Sequence, residues 1–224
     1  MKWRRMCRLK ELRNNRSTNM KLELLQSILY SLARATLKKY QPRCIGVTGS
    51  VGKSSTKTAI ALVLSARHRV GADAKSYNTP IGLPLAILGE EGQGRNIFGW
   101  LGVICRALKR LIKTDLHYPQ VLVLEMGVDT VGDMAYLVSL APCAVGVVTV
   151  VTSAHLALLG SIENTLQEKM TLVRTLAGER RCAILNADDE LIMRERNSLK
   201  DPVITFGFTE LADLRVQKLI FARS

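Results

Sequence analysis

The chain has 224 residues, 47% hydrophobic and only 5% aromatic, enough for one sizeable core built from Leu, Val, Ile and Ala. Its five cysteines (Cys7, Cys44, Cys105, Cys143, Cys182) are scattered with no Cys-x-x-Cys, and its three histidines lie far apart. That excludes a disulfide framework, a zinc finger and a histidine cage, and points to a reducing cytoplasm. The formal charge of +13 calls for a polyanionic neighbour, but no motif names a specific nucleic acid.

Residues 1–41 read as a basic, helical N-terminal segment. Lys2, Arg4, Arg5, Arg8, Lys10, Arg13 and Arg16 stand against Glu11 alone. Such a run is a solvated tail or a segment that touches an anionic membrane surface. It lacks the apolar core of a signal peptide. Residues 20–39 carry a broad apolar helical face, and Pro42 closes it. From there strands and helices alternate. A strand is expected over 43–48, a helix over 54–66 and a short extended stretch near Val70. Thr79–Pro84 reads as a loop before a short helix, and 97–113 as an amphipathic helix packed on a sheet. Arg106, Lys109 and Arg110 keep that helix from being a membrane span, with a membrane-surface role as the lesser reading. Val121–Glu125 and Ala144–Val151 are continuous apolar runs, the mark of strands buried on both faces. Helices are expected over 132–140 and 161–177, the latter with Ser161 as N-cap, and further strands over 182–185, 202–206 and 214–221. The alternation predicts an α/β fold, a mostly parallel sheet with helices on both faces.

Gly46-Val-Thr-Gly-Ser-Val-Gly-Lys-Ser54 completes the pattern Gly-x4-Gly-Lys-Ser between the first strand and the next helix. In that context backbone N–H groups of the loop and helix terminus face phosphates. Lys53 reaches the β- and γ-phosphates of ATP, and the Ser54 hydroxyl is placed for Mg2+. The nucleotide set is Thr48, Gly49, Ser50, Val51, Gly52, Lys53, Ser54 and Ser55. Glu125 ends a buried strand, where open α/β sheets keep their ligands, and is a candidate Mg2+ carboxylate. Alone, His155 reads as a surface or packed histidine, and Asn186-Ala-Asp-Asp189 as a helix N-cap with early acids.

The glycine loop, Asn78-Thr-Pro-Ile-Gly-Leu-Pro84, Glu125-Met-Gly127, His155 with Gly160, Lys169, Asn186-Ala-Asp-Asp189 and Gly207-Phe occur in one order. That ordered set resembles the central domain of the Mur ligases, closest to the MurF type, over about residues 42–210. The resemblance implies an ATP-dependent amide-bond ligase of peptidoglycan synthesis working through an acyl phosphate. Its substrates would be a UDP-muramoyl-peptide and D-alanyl-D-alanine. Lys53 would grip phosphate, Ser54 and Glu125 would hold one Mg2+, and His155 would help hold a second. Lys169 aligns with a lysine that several Mur ligases carbamylate to make an anionic Mg2+ ligand; a solvated helix lysine is the equal alternative. Asn186 would contact adenine, and Asn78 and Thr79 lie in a substrate-side loop.

Enzymes of that type begin with a UDP-sugar-binding domain and end with a domain that closes over ATP. With residues 42–224 read as the central domain alone, the chain is expected to be a truncated product, one part of a split enzyme that needs a separate ligase domain, or an ATP-binding scaffold without ligase activity. A folylpolyglutamate or cyanophycin-type ligase is the other enzyme reading, which Asn78–Pro84 and Glu125-Met-Gly disfavour.

Overall fold

The computed structural model describes residues 22–72, 81–94, 96–152 and 159–218. A helix, α1, covers residues 22–40. There follow β1 (Arg43–Thr48), α2 (Lys53–Ser65), β2 (Val70–Gly71), α3 (Gly82–Leu88), α4 (Ile97–Ile112) and β3 (Val121–Glu125). Next come α5 (Asp133–Leu140), β4 (Val145–Val148), α6 (Ile162–Arg174), β5 (Cys182–Asn186), α7 (Glu190–Arg194), a 3-10 turn (Arg196–Ser198), β6 (Val203–Gly207) and β7 (Leu214–Arg215). The seven strands form one sheet in the order β2-β3-β1-β4-β5-β6-β7. Every neighbouring pair is parallel.

β1 and β3 are buried almost throughout, which is why their sequences are unbroken apolar runs rather than alternating ones. Ile45, Val47, Val121, Val123 and Val147 meet Ile60, Ala61 and Leu64 of α2 on one face. The residues between them in each strand, such as Cys44, Leu122 and Leu124, enter the larger core under α1, α3, α4, α5 and α6. The helices thus lie on both faces, as the alternation of elements predicts.

Three details differ from the sequence reading. α3 begins at Gly82, inside the expected loop, because Pro84 falls in its first turn, where a missing N–H costs nothing. β4 stops at Val148, since the next residues leave the ladder to hold the glycine loop: Ser50 N donates to Val150 O at 2.7 Å. β7 is two residues long, and the tail of the longer strand expected there, from 219 on, lies outside the described residues. So does the basic run over 1–21.

α6 lies hard against the sheet at two glycines. A Cβ at Gly46 would come within 2.8 Å of Leu172 Cδ1, and one at Gly146 within 2.9 Å of Val173 Cγ1. Larger side chains there would lift the helix that carries Lys169. Gly146→Val is therefore expected to destabilise the protein by about 2 kcal/mol, the usual cost of overpacking. Urea denaturation checks it: the midpoint should fall with the slope unchanged, and a midpoint equal to the parent's contradicts the close packing.

Candidate nucleotide and metal site

The site sits where the chain order reverses. The loop after β1 runs to α2 on one face, and the loop after β3 runs to α5 on the other, which opens a crevice at the carboxyl ends of the strands. Gly49 has φ +146°, and a Cβ there would fall 1.9 Å from Thr149 Oγ1, so only glycine fits. Gly52 takes the left-handed conformation at φ 85° and caps α2 without a side chain, leaving the first amides of the helix facing outward. Thr149, just past the end of β4, clamps the loop: its hydroxyl approaches Val51 O at 2.6 Å and Thr48 O at 3.2 Å. Ser50 Oγ accepts from Thr152 N at 3.0 Å. The Thr48 hydroxyl is buried at the base of the loop with no hydrogen-bond partner among the described residues.

Lys53 bends over the loop and donates to Gly49 O at 2.9 Å and Ser50 O at 3.3 Å. Its neighbour Ser54 donates to Glu125 Oε2 at 2.8 Å. Lys57, one turn further along α2, reaches the same oxygen at 3.5 Å, with both side chains 3% exposed. On the far side of the loop Lys169 donates to Gly49 O at 3.2 Å from a position 1% exposed. Burial first, and the Lys53 ammonium second, lower its pKa from 10.5 to about 8. Its neighbour Glu168 accepts from Met134 N at 2.6 Å and Gly132 N at 3.1 Å, at the amino end of α5. Asp189 ties the outer strands in: it accepts from Val151 N at 2.7 Å while capping α7 through Leu191 N and Ile192 N.

No group of three His, Cys, Asp or Glu residues able to cage a metal occurs among the described residues. Mg2+ does not need one. It favours one or two carboxylates beside substrate phosphates and water, and the Ser54 hydroxyl next to the Glu125 carboxylate is a donor set of that kind.

The profile of the family described as the Mur ligase middle domain matches residues 106–224, more than half of the chain. The chain belongs to the Mur ligase family. It is 31% identical over 148 residues to the UDP-N-acetylmuramoyl-tripeptide–D-alanyl-D-alanine ligase of Bacillus subtilis, covering 66% of this chain and 27% of the relative. It is 32% identical over 164 residues to the Synechocystis enzyme of the same name, covering 73% and 30%. The crystal structure of a MurF ligase from Thermotoga maritima in complex with ADP superposes with a TM-score of 0.64 at 30% identity, covering 82% of this chain and 36% of that one. The chain therefore spans between a quarter and a third of the length of these curated relatives.

Of the Mur ligase positions singled out in the sequence, the structure brings Lys53, Ser54, Glu125 and Lys169 to one edge of the sheet. Lys169 is not a solvated helix lysine; it is buried under the loop. Val51 and Ser55 are exposed at the loop and the start of α2. Asn186 ends β5, two strands from β1, and its side chain accepts from Asp188 N at 3.0 Å. Asn78, Thr79 and His155 lie outside the described residues. Sequence reasoning missed Lys57, Thr149 and Glu168. Lys57 could have been found, since it stands four residues after Lys53 on the same helix face. Thr149 and Glu168 carry no such signal, because their role is set by partners a hundred or thirty-odd residues away.

The depressed Lys169 pKa makes a signed prediction. The folded state binds this proton less tightly than the unfolded chain, so the cost is fully present below about pH 8 and is relieved as pH rises toward 10.5. That cost is on the order of 3 kcal/mol, offset by about 1 kcal/mol from the hydrogen bond to Gly49. Lys169→Met should raise the thermal midpoint at pH 7, and the advantage should shrink between pH 8 and 10.5. Melting curves across that range decide it: a parent that is the more stable of the two at pH 7 contradicts the buried, electrostatically penalised lysine.

Proposed function

We propose that this chain is the ATP-binding unit of a cytoplasmic amide-bond ligase of peptidoglycan precursor synthesis, one that joins D-alanyl-D-alanine to a UDP-muramoyl tripeptide during cell wall biogenesis. The observation that carries the reading is the Ser54–Glu125 contact beside a complete glycine loop, in a chain similar to ligases of that name. In this reading a carboxylate of the muramoyl peptide attacks the γ-phosphorus of ATP, ADP leaves, and an acyl phosphate forms. The dipeptide amine then attacks the acyl carbon and phosphate departs, leaving the new amide.

Each residue has a defined part. The loop amides and the amino end of α2 hold the phosphates, and Lys53, already poised over the loop, turns its ammonium from the Gly49 and Ser50 carbonyls to phosphate oxygens. Ser54 and Glu125 would hold Mg2+, which neutralises phosphate charge when bound. Lys57 fixes the Glu125 carboxylate from behind. Lys169, with a raised share of neutral amine, is suited to the carbamylation found in several Mur ligases, because only the unprotonated amine adds to carbon dioxide. His155 would serve a second Mg2+, Asn186 the adenine, and Asn78 with Thr79 the peptide substrate. Binding of the sugar nucleotide and of the amine is assigned to a separate ligase domain and to the remaining length of the relatives, beyond the share this chain spans.

A chimera tests the proposal: residues 42–210 replace the matching segment of the Bacillus subtilis ligase. It should form the muramoyl pentapeptide from ATP, Mg2+, UDP-muramoyl tripeptide and D-alanyl-D-alanine, and Lys53→Ala should lower the rate by at least about a hundredfold. A chimera that binds ATP normally yet makes no pentapeptide contradicts the proposed function.

A further inference from the structure

α4 carries more apolar surface than the core consumes. At ~100° per residue its positions divide into three lengthwise stripes. Val103 and Ala107 are buried, and Trp100, Ile104 and Leu111 pack against the main core. A second stripe, Phe98, Leu101, Leu108 and Ile112, points away from it, with exposures of 85%, 52%, 44% and 86%. Exposed Leu116, just past the helix, continues that stripe. The third stripe is Arg106, Lys109 and Arg110, extended by Lys113, and α4 contains no acidic residue. A helix of 16 residues makes this patch about 24 Å long.

We propose that the outer face of α4 docks on an anionic lipid surface. An apolar stripe running edge to edge with a basic one is the pattern of a helix lying in a membrane interface, its apolar side among the acyl chains and its cations at the headgroups. No described helix is long and apolar enough to cross a membrane, and α4, at 16 residues, is shorter than a span. The charge also argues against a second copy of the chain. Two such faces packed together would set Lys109 and Lys113 against their own kind, with no acid on either helix to match them. Glu90 is engaged with Arg106 at 2.6 Å and Asp115 with Arg110 at 3.4 Å, so the outward charge of the basic stripe comes from the exposed Lys109 and Lys113.

The helix is held rigidly for this task. Lys39 donates to Arg110 O at 3.0 Å and Leu111 O at 2.9 Å, Tyr40 donates to Arg110 O at 2.8 Å, and the Trp100 indole donates to Gly94 O at 3.0 Å. α4 then leads into the amino end of β3, the sheet edge opposite the glycine loop. Docking through α4 leaves the nucleotide crevice open, so membrane contact and ATP binding proceed together.

Flotation of the full chain with phosphatidylcholine vesicles, with and without phosphatidylglycerol, tests this. The parent should float with the anionic vesicles and lose binding as salt rises. Leu101→Ser/Leu108→Ser and Lys109→Glu/Lys113→Glu should each lower the partition coefficient by about tenfold or more. All four positions are exposed, so melting temperature and ATP affinity should stay at parental values and certify the fold. Either of two results overturns the proposal. One is a parent that does not float, or floats equally well with both double variants, which would move any lipid contact to another basic segment. The other is a lipid-free dimer, seen in analytical ultracentrifugation, that the Leu101→Ser/Leu108→Ser variant dissolves, which would assign the face to self-association.

Discussion

β1 is hydrogen-bonded on both sides, in register with β3 and β4, and the site depends on that pairing. Val47 lies opposite Glu125 and Thr48 opposite Val148. The register brings the start of the glycine loop, the Glu125 carboxylate and Thr149 to one edge of the sheet, although Glu125 lies 71 residues from Ser54 and Thr149 lies 98 from Val51. A slip of one residue would turn Glu125 to the other face, away from Ser54 and Lys57. The apolar side chains of β1 and β3 prevent such a slip, because it would exchange the contents of two different cores.

That edge is rich in cations for so small a space. Lys53 and Lys169 share the carbonyl of Gly49, and Lys57 lies against Glu125. Helix-end amides of α2 add their partial positive charge. Burial first and the neighbouring Lys53 ammonium second lower the pKa of Lys169, and the charge part of that cost is the part a polyanion relieves. Under the proposed function, a bound triphosphate would return part of the stability given up to charge crowding at this edge, the logic of a preorganised phosphate site. The Lys57–Glu125 pair is buried, so it contributes less to stability than to the fixed position of the carboxylate.

Much of this was legible in the sequence because it is local. The glycine loop, the buried strands and the Ser161 cap of α6 are each written in a few consecutive residues, and the cap hydrogen bond to Asn164 N at 3.1 Å is present. The ordered motifs carried the family as well. What could not be read was tertiary. Lys169 looks like any polar position of a helix that also carries Glu, Asn, Thr, Gln and Arg, yet it is buried because Gly46 and Gly146 let α6 settle onto the sheet. Pro84 looks like a helix breaker, yet it sits in the first turn of α3. The outward stripe of α4 is visible in the sequence only as surplus hydrophobicity; which side the core takes is known from the fold.

Isothermal titration of the purified chain with ATP, in the presence and absence of Mg2+, tests the central claim most directly when Glu125→Gln is run beside the parent. The claim is that one edge of the sheet binds phosphates through the loop and metal through Ser54 and Glu125. It predicts that Mg2+ strengthens ATP binding to the parent, and that Glu125→Gln loses about tenfold or more of that gain while metal-free ATP binds within about twofold of the parent. Equal metal dependence in the two proteins, or no ATP binding to the parent at all, would contradict it.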